Sequence, residues 1–129
     1  MSEQRAVFHS VAPIGDTDPK NLPVPDLESA LPFYEQALGF TVRSRSVSPH
    51  PSAVIARDAV EIVLAENGGD PNQASCYFSV SDVDLAYREM WDRGVNPTNL
   101  RVDDYGGKKY RVFFVRAPDG LCFCLGQQI

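Results

Sequence analysis

Two cysteines near the C-terminus, Cys122 and Cys124, stand in a run that alternates like a β-strand, Leu121-Cys122-Phe123-Cys124-Leu125. On a strand that spacing puts both thiols on one side, about 7 Å apart. A thiolate pair of this kind suits a soft metal ion. A structural zinc needs four ligands, and no CxxC motif or Cys/His companion stands with the pair. The alternative is a small apolar lining to a pocket. The third cysteine, Cys76, falls on the opposite face of its own strand by alternation. His9 and His50 are the only histidines, and the second lies in a proline-rich turn, Ser48-Pro49-His50-Pro51. Both read as surface or edge residues. No Ser/His/Asp triad, phosphate loop or paired carboxylates occur, so hydrolysis and phosphoryl transfer lack their usual machinery.

Charge and composition narrow the partners. The 129 residues hold 12 Lys and Arg against 17 Asp and Glu, a net charge of −5. That balance disfavours nucleic acid and anionic membrane as partners. No apolar run approaches ~18 residues, so no membrane span is predicted. The opening MSEQRAVFHS lacks the basic-then-apolar pattern of a signal peptide. Three cysteines, an odd number, then point to reduced thiols in a cytoplasm. The length suits one domain over residues 1–129, with a real core.

The elements that position these residues recur. Val24, Asp26, Leu27, Glu28 and Ala30 are echoed at one constant spacing by Val80, Asp82, Val83, Asp84 and Ala86. A second echo pairs Ala56–Leu64 with Ala117–Leu125. Such a period fits a duplicated module of about 55 to 60 residues rather than a solenoid. Asp26 and Asp82 are predicted helix N-caps. Leu27, Ala30, Leu31, Tyr34 and Leu38 then share one helical face, as do Val83, Ala86, Tyr87, Met90 and Trp91. Pro32 should disturb the first helix, and Gly39 and Gly94 should stop the two helices. Strands are predicted over 6–14, 41–47, 53–56, 60–65, 75–80, 110–116 and 121–125. The fold class is therefore α+β: two tandem β-α-β-β-β modules, residues 5–66 and 74–127, joined by the linker 67–73. Residues 102–109 (VDDYGGKK) are expected as a flexible loop, with Gly106 and Gly107 giving it freedom to close.

The module order, LPVPDLESALPFYEQALGF near the start and VFFVRAPDGLCFCL near the end, resemble the glyoxalase/bleomycin-resistance/extradiol-dioxygenase superfamily, the vicinal oxygen chelate fold. The resemblance implies a curved mixed sheet around a pocket, and a homodimer. It covers nearly the whole chain but leaves chemistry open, since isomerases, dioxygenases, thiol transferases and drug binders share the fold. Enzymes of this superfamily hold a divalent metal with two His and a Glu. The matching positions here are Ala12 or Pro19, Ser75 and Cys124, so none of the usual metal ligands is present. The resemblance is closest in look to the metal-free bleomycin-resistance branch.

That likeness and strand parity together select inward residues. Glu61 and Val63 should share the concave face with Cys122 and Cys124, and Tyr77 and Ser79 with Ser75. In the penultimate strand the inward set is expected to be Arg111, Phe113 and Val115. Glu61 and Arg111 then form an internal ion pair or attract a charged guest. The ligand-binding set is thus Glu61, Tyr77, Arg111, Phe113, Cys122 and Cys124, with no catalytic residue, metal or cofactor. The function expected is binding or sequestration of an amphipathic or cationic small molecule, as in antibiotic resistance. The alternative is a metal-dependent lyase, isomerase or dioxygenase using Glu61, Cys122 and Cys124 as non-standard ligands.

Overall fold

Residues 6–129 are described by the computed structural model, and Arg5, the expected start of the first module, lies outside them. Strand β1 (Phe8–Pro13) and the short β2 (Leu22–Pro23) precede helix α1 (Leu27–Pro32). Strands β3 (Thr41–Ser46), β4 (Ser52–Arg57) and β5 (Val60–Ala65) follow. The second half runs β6 (Ser75–Val80), α2 (Val83–Asp92), β7 (Arg101–Tyr105), β8 (Lys108–Arg116) and β9 (Cys122–Gln128). This is the predicted α+β class, with β2 and β7 beyond the strands predicted.

The two helices start alike and end differently. Asp26 and Asp82 are both extended N-caps. Asp82 Oδ1 accepts the Leu85 N–H at 3.1 Å. Asp26 instead takes the Ser29 hydroxyl at 2.6 Å, and Glu66 from the end of β5 serves the Leu27 N–H at 2.9 Å. Pro32 has no amide hydrogen to close an α-helical ring. The chain widens there into a π-helical turn, Phe33–Ala37, in which the Leu38 N–H reaches Phe33 O at 3.3 Å. The stripe Leu27, Ala30, Leu31, Tyr34 and Leu38 is buried throughout. On α2 the predicted stripe is buried only in part. Val83, Ala86 and Met90 are buried, but Trp91 is 49% exposed, its ring T-shaped to Tyr87 with centroids 6.3 Å apart.

The strands form two sheets, ordered β1-β6-β9-β8-β7 and β2-β5-β4-β3. In each half the last strand runs parallel to the strand just before the helix, β9 with β6 and β5 with β2. Strand β1 crosses over and pairs antiparallel with β6 of the other half. Residues 15–21 explain the division. They leave β1 and run along β5, where Pro19 O accepts the Val63 N–H at 3.0 Å. Thr17 Oγ1 also accepts the Ser75 N–H at 3.1 Å, so the insertion touches both sheets. At the other end of β1, Phe8 O accepts the Ala59 N–H at 3.1 Å.

One apolar core lies between the sheets and the helices. Phe78 stacks on Phe123 with centroids 5.2 Å apart, and Tyr34 meets Phe123 edge-on at 5.8 Å. Each such ring contributes roughly 1.5–3 kcal/mol by leaving water. A buried charge network fastens the halves. Arg57 at the end of β4 donates to Leu38 O (2.7 Å), Ala6 O (2.9 Å) and Glu89 Oε1 (2.8 Å) of α2. Arg93 Nε holds the other Glu89 oxygen at 2.9 Å, and the Phe8 ring lies 4.0 Å from the Arg57 guanidinium. Burial by itself would push the Glu89 carboxyl up. The hydrogen bonds and charges of Arg57, then Arg93, win and hold it below its ordinary value.

Candidate functional site

The open face of the five-stranded sheet is set by alternation within each strand. In β6, Cys76, Phe78 and Val80 are buried while Ser75, Tyr77 and Ser79 face outward. In β9, Leu121, Phe123 and Leu125 enter the core, leaving Cys122, Cys124 and Gly126 on the open side. Directly paired residues share a face. Ala12 pairs with Tyr77, Tyr77 with Cys124, and Cys124 with Phe114, which makes one continuous row across four strands. Ala12, not Pro19, is therefore the residue of the first half that reaches this row.

The same ladder corrects the reading of β8. Phe113 pairs with Leu125 and is fully buried, with its ring edge-on to Tyr87 at 5.3 Å. Arg111 turns to the same helix side, and its Nη2 pairs with Asp84 of α2 at 2.9 Å. Tyr110, Val112 and Phe114 hold the open face instead. Glu61 does not join them. It lies on β5 of the other sheet, about half exposed, and takes Lys20 Nζ at 3.1 Å. The expected Glu61–Arg111 pair is thus two separate pairs with other partners.

Residues 102–109 are also not a loop. Strands β7 and β8 pair from Arg101/Val112 to Tyr105/Lys108. Their two-residue turn is Gly106-Gly107, with φ of 59° and 81°. Such a turn needs positive φ at both positions, which glycine supplies without strain. The hairpin carries Asp103 and Tyr105 to the rim, so the rim is fixed by strand pairing.

These elements enclose a cleft of about 460 Å³. Ala12–Gly15 form one wall, Tyr77, Val112 and Cys124 the floor, and Tyr110, Tyr105 and Asp103 the opposite side. Tyr77 and Tyr110 meet edge-to-face at 6.3 Å and 81°. Gly126 makes room for this. A Cβ there would lie 2.7 Å from Val112 Cγ1 and 2.8 Å from Tyr77 Cε1. Sequence reasoning missed Gly126, although a glycine inside a strand marks a close approach.

The ionisable groups of the cleft are shifted by burial and by one another. Burial, then the charges of Cys124 and Tyr110, push the Tyr77 phenol up to about 12. Burial, then Asp103 and Cys122, push the Cys124 thiol up to about 12 against the pull of Arg101. Near neutral pH both are therefore protonated, neither nucleophile nor base. Cys122, half-buried, sits one step along β9 opposite Ser75 and Arg116. Burial raises it, with Arg116 opposing. The carboxylate at the rim, Asp103, is gripped by Arg101 Nε at 3.0 Å and Nη2 at 3.2 Å. His9 is exposed beside a bulge in β1, and His50 lies between β3 and β4. Among the described residues no three His, Cys, Asp or Glu side chains converge as a metal site. A second hollow, about 310 Å³, lies between Gly39, Thr41, Arg43 and Asp58 over Arg57. It is polar, and Arg57 is already committed to the core, so the tyrosine cleft is the better candidate.

A family model described as Glyoxalase/Bleomycin resistance protein/Dioxygenase superfamily matches residues 10–125. Among solved structures, TnmS3, an antibiotic-binding protein from Streptomyces sp. CB03234, superposes with a TM-score of 0.72 at 22% identity, covering 90% of this chain and 98% of that one. A bleomycin resistance determinant encoded on the transposon Tn5 gives 0.70 at 23%, covering 88% and 98%. A virulence protein from Salmonella typhimurium gives 0.67 at 21%, covering 90% and 98%. No curated protein sequence matches. At these identities the structural likeness carries the fold alone.

Proposed function

The chain belongs to the Glyoxalase/Bleomycin resistance protein/Dioxygenase superfamily, and we propose that it is a binding protein of that superfamily rather than an enzyme. In this reading it takes an amphipathic aromatic compound into the tyrosine cleft and sequesters it without chemistry. One observation carries the proposal. Tyr77, Tyr105 and Tyr110, with Val112 and the Ala12–Gly15 wall, give an apolar and aromatic lining with a single carboxylate, Asp103. A few polar groups in an apolar concavity are the usual character of a small-molecule site. The antibiotic-binding and bleomycin-resistance relatives support a small-molecule guest. Arg101 uses one lone pair on each Asp103 oxygen and leaves others free. A cationic centre on the guest would sit between that carboxylate and a tyrosine face, an attraction of ~0.5–2 kcal/mol. The metal-dependent alternative loses its third donor, because Glu61 stands on the other sheet with Lys20. We further propose that the protein works as a homodimer in the cytoplasm.

A melting-temperature screen tests this reading. Planar aromatic amines and their neutral isosteres are compared on the wild type and on Asp103→Asn. A guest at a hundred times its Kd stabilises by about 2.7 kcal/mol. We expect aromatic guests to raise the midpoint, with the amines losing more than the isosteres in the variant. Equal losses for both, or stabilisation only by non-aromatic compounds, would overturn the assignment.

A further inference from the structure

We propose that Cys122 and Cys124 form a two-coordinate site for a soft monovalent d10 ion, Cu(I), at the floor of the sheet beside the cleft. The two thiols share the open face of β9, Cys122 opposite Ser75 and Cys124 opposite Tyr77. Both are free thiols. Residues two apart on a strand have Cα atoms about 6.4–6.8 Å apart. That is the top of the usual range for a disulfide, and both thiols are free in the structure. With a metal–thiolate bond of ~2.3 Å, a linear S–Cu–S unit spans about 4.6 Å. Binding requires the two side chains to lean toward each other along the strand to that separation.

The neighbours select the ion by number and charge of donors. Tetrahedral zinc would need two further ligands, and among the described residues no third His, Cys, Asp or Glu joins the pair. Asp103 is held by Arg101. Thiolate is a soft ligand that suits Cu(I) as well as zinc, and the count of two donors favours Cu(I). Binding breaks two S–H bonds, forms two S–Cu bonds and releases two protons to solvent. Copper stays Cu(I), so no oxidant or reductant takes part. The product carries one negative charge, and cations stand beside it. Arg116 is directly opposite Cys122 on β8, and Arg101 lies over the Phe114 ring, 4.9 Å from its centroid, opposite Cys124. The site shares Cys124 with the tyrosine cleft but needs no organic guest, so either assignment can fail alone.

The test is an anaerobic Cu(I) titration against a chromophoric Cu(I) chelator. It uses the wild type, Cys122→Ser, Cys124→Ser and, as a control, Cys76→Ser, whose parent thiol is buried in the core. Alanine variants at 122 and 124 repeat the measurement, and a melting curve establishes that each is folded. The wild type is expected to hold one Cu(I) per chain and release two protons per ion. Removing either thiol should weaken retention about a hundredfold, the lower end of the gain from chelation. Cys76→Ser should match the wild type. A variant lacking Cys122 or Cys124 that holds Cu(I) as tightly as the wild type, two ions per chain, or no retention against the chelator would overturn the site.

Discussion

Replacing Glu89 with Gln isolates the ion network that joins the halves. The carboxylate is 8% exposed and the Arg57 side chain is fully buried. Gln keeps one acceptor for Arg57 Nη2, but its amide nitrogen confronts Arg93 Nε, donor to donor. Removing one partner of a buried pair costs about 3–5 kcal/mol because the other charge stays buried. The Arg93 bond is part-exposed (32%) and worth less. We therefore expect a loss of roughly 3 kcal/mol near neutral pH, or a midpoint about 10 °C lower. The sign with pH follows from the depressed carboxyl. A group whose folded value lies below its unfolded one, here 4.5, stabilises fully above the unfolded value. That contribution disappears as pH falls through the folded one. Urea unfolding at pH 7, 5, 4 and 3 should show the wild-type advantage constant down to pH 5 and shrinking below 4.5. A difference under 1 kcal/mol at pH 7, or one independent of pH down to 3, would refute the reasoning.

Three further outcomes follow. Gly126→Ala should displace the Tyr77 ring and destabilise by about 1–3 kcal/mol through overpacking, read by thermal unfolding and the Tyr77 ring resonances. Cys124, its thiol at about 12, should react with iodoacetamide at pH 8 roughly a thousandfold more slowly than free cysteine, followed by peptide mass spectrometry. Light scattering at tens of micromolar should give twice the 14.2 kDa chain mass, and the single-chain mass would contradict the dimer.

What the sequence discloses and what it hides divides by range. The starts at Asp26 and Asp82, the disturbance at Pro32 and the inward Leu121, Phe123 and Leu125 rest on local rules, and all are legible. In β8 the run Val112-Phe113-Phe114-Val115 is apolar in both parities, so alternation cannot choose a face. The pairing of Phe113 with Leu125 chooses it, and pairing is not local. Residues 102–109 are expected at the rim, but Tyr105, Tyr110 and Asp103 are not singled out because Gly106-Gly107 reads as a loop. Flanked by Asp-Asp-Tyr and Lys-Lys-Tyr, it is a two-residue hairpin turn. Glu61 is on the open face of its strand, as parity demands. Its separation from Arg111 depends on β1 crossing to β6 and on residues 15–21 lying along β5, which no single segment announces.

The central claim is that the face carrying Tyr77, Tyr110 and Cys124 holds a small aromatic guest. Chemical-shift mapping of the isotopically labelled protein during titration with a guest taken from the melting screen tests it most directly. Ring-current shifts are expected to concentrate at Ala12–Gly15, Tyr77, Tyr110, Val112 and Cys124, with Glu61 and Phe113 little moved. Shifts centred on Glu61 and Lys20, or on the hollow around Thr41 and Asp58, would contradict it.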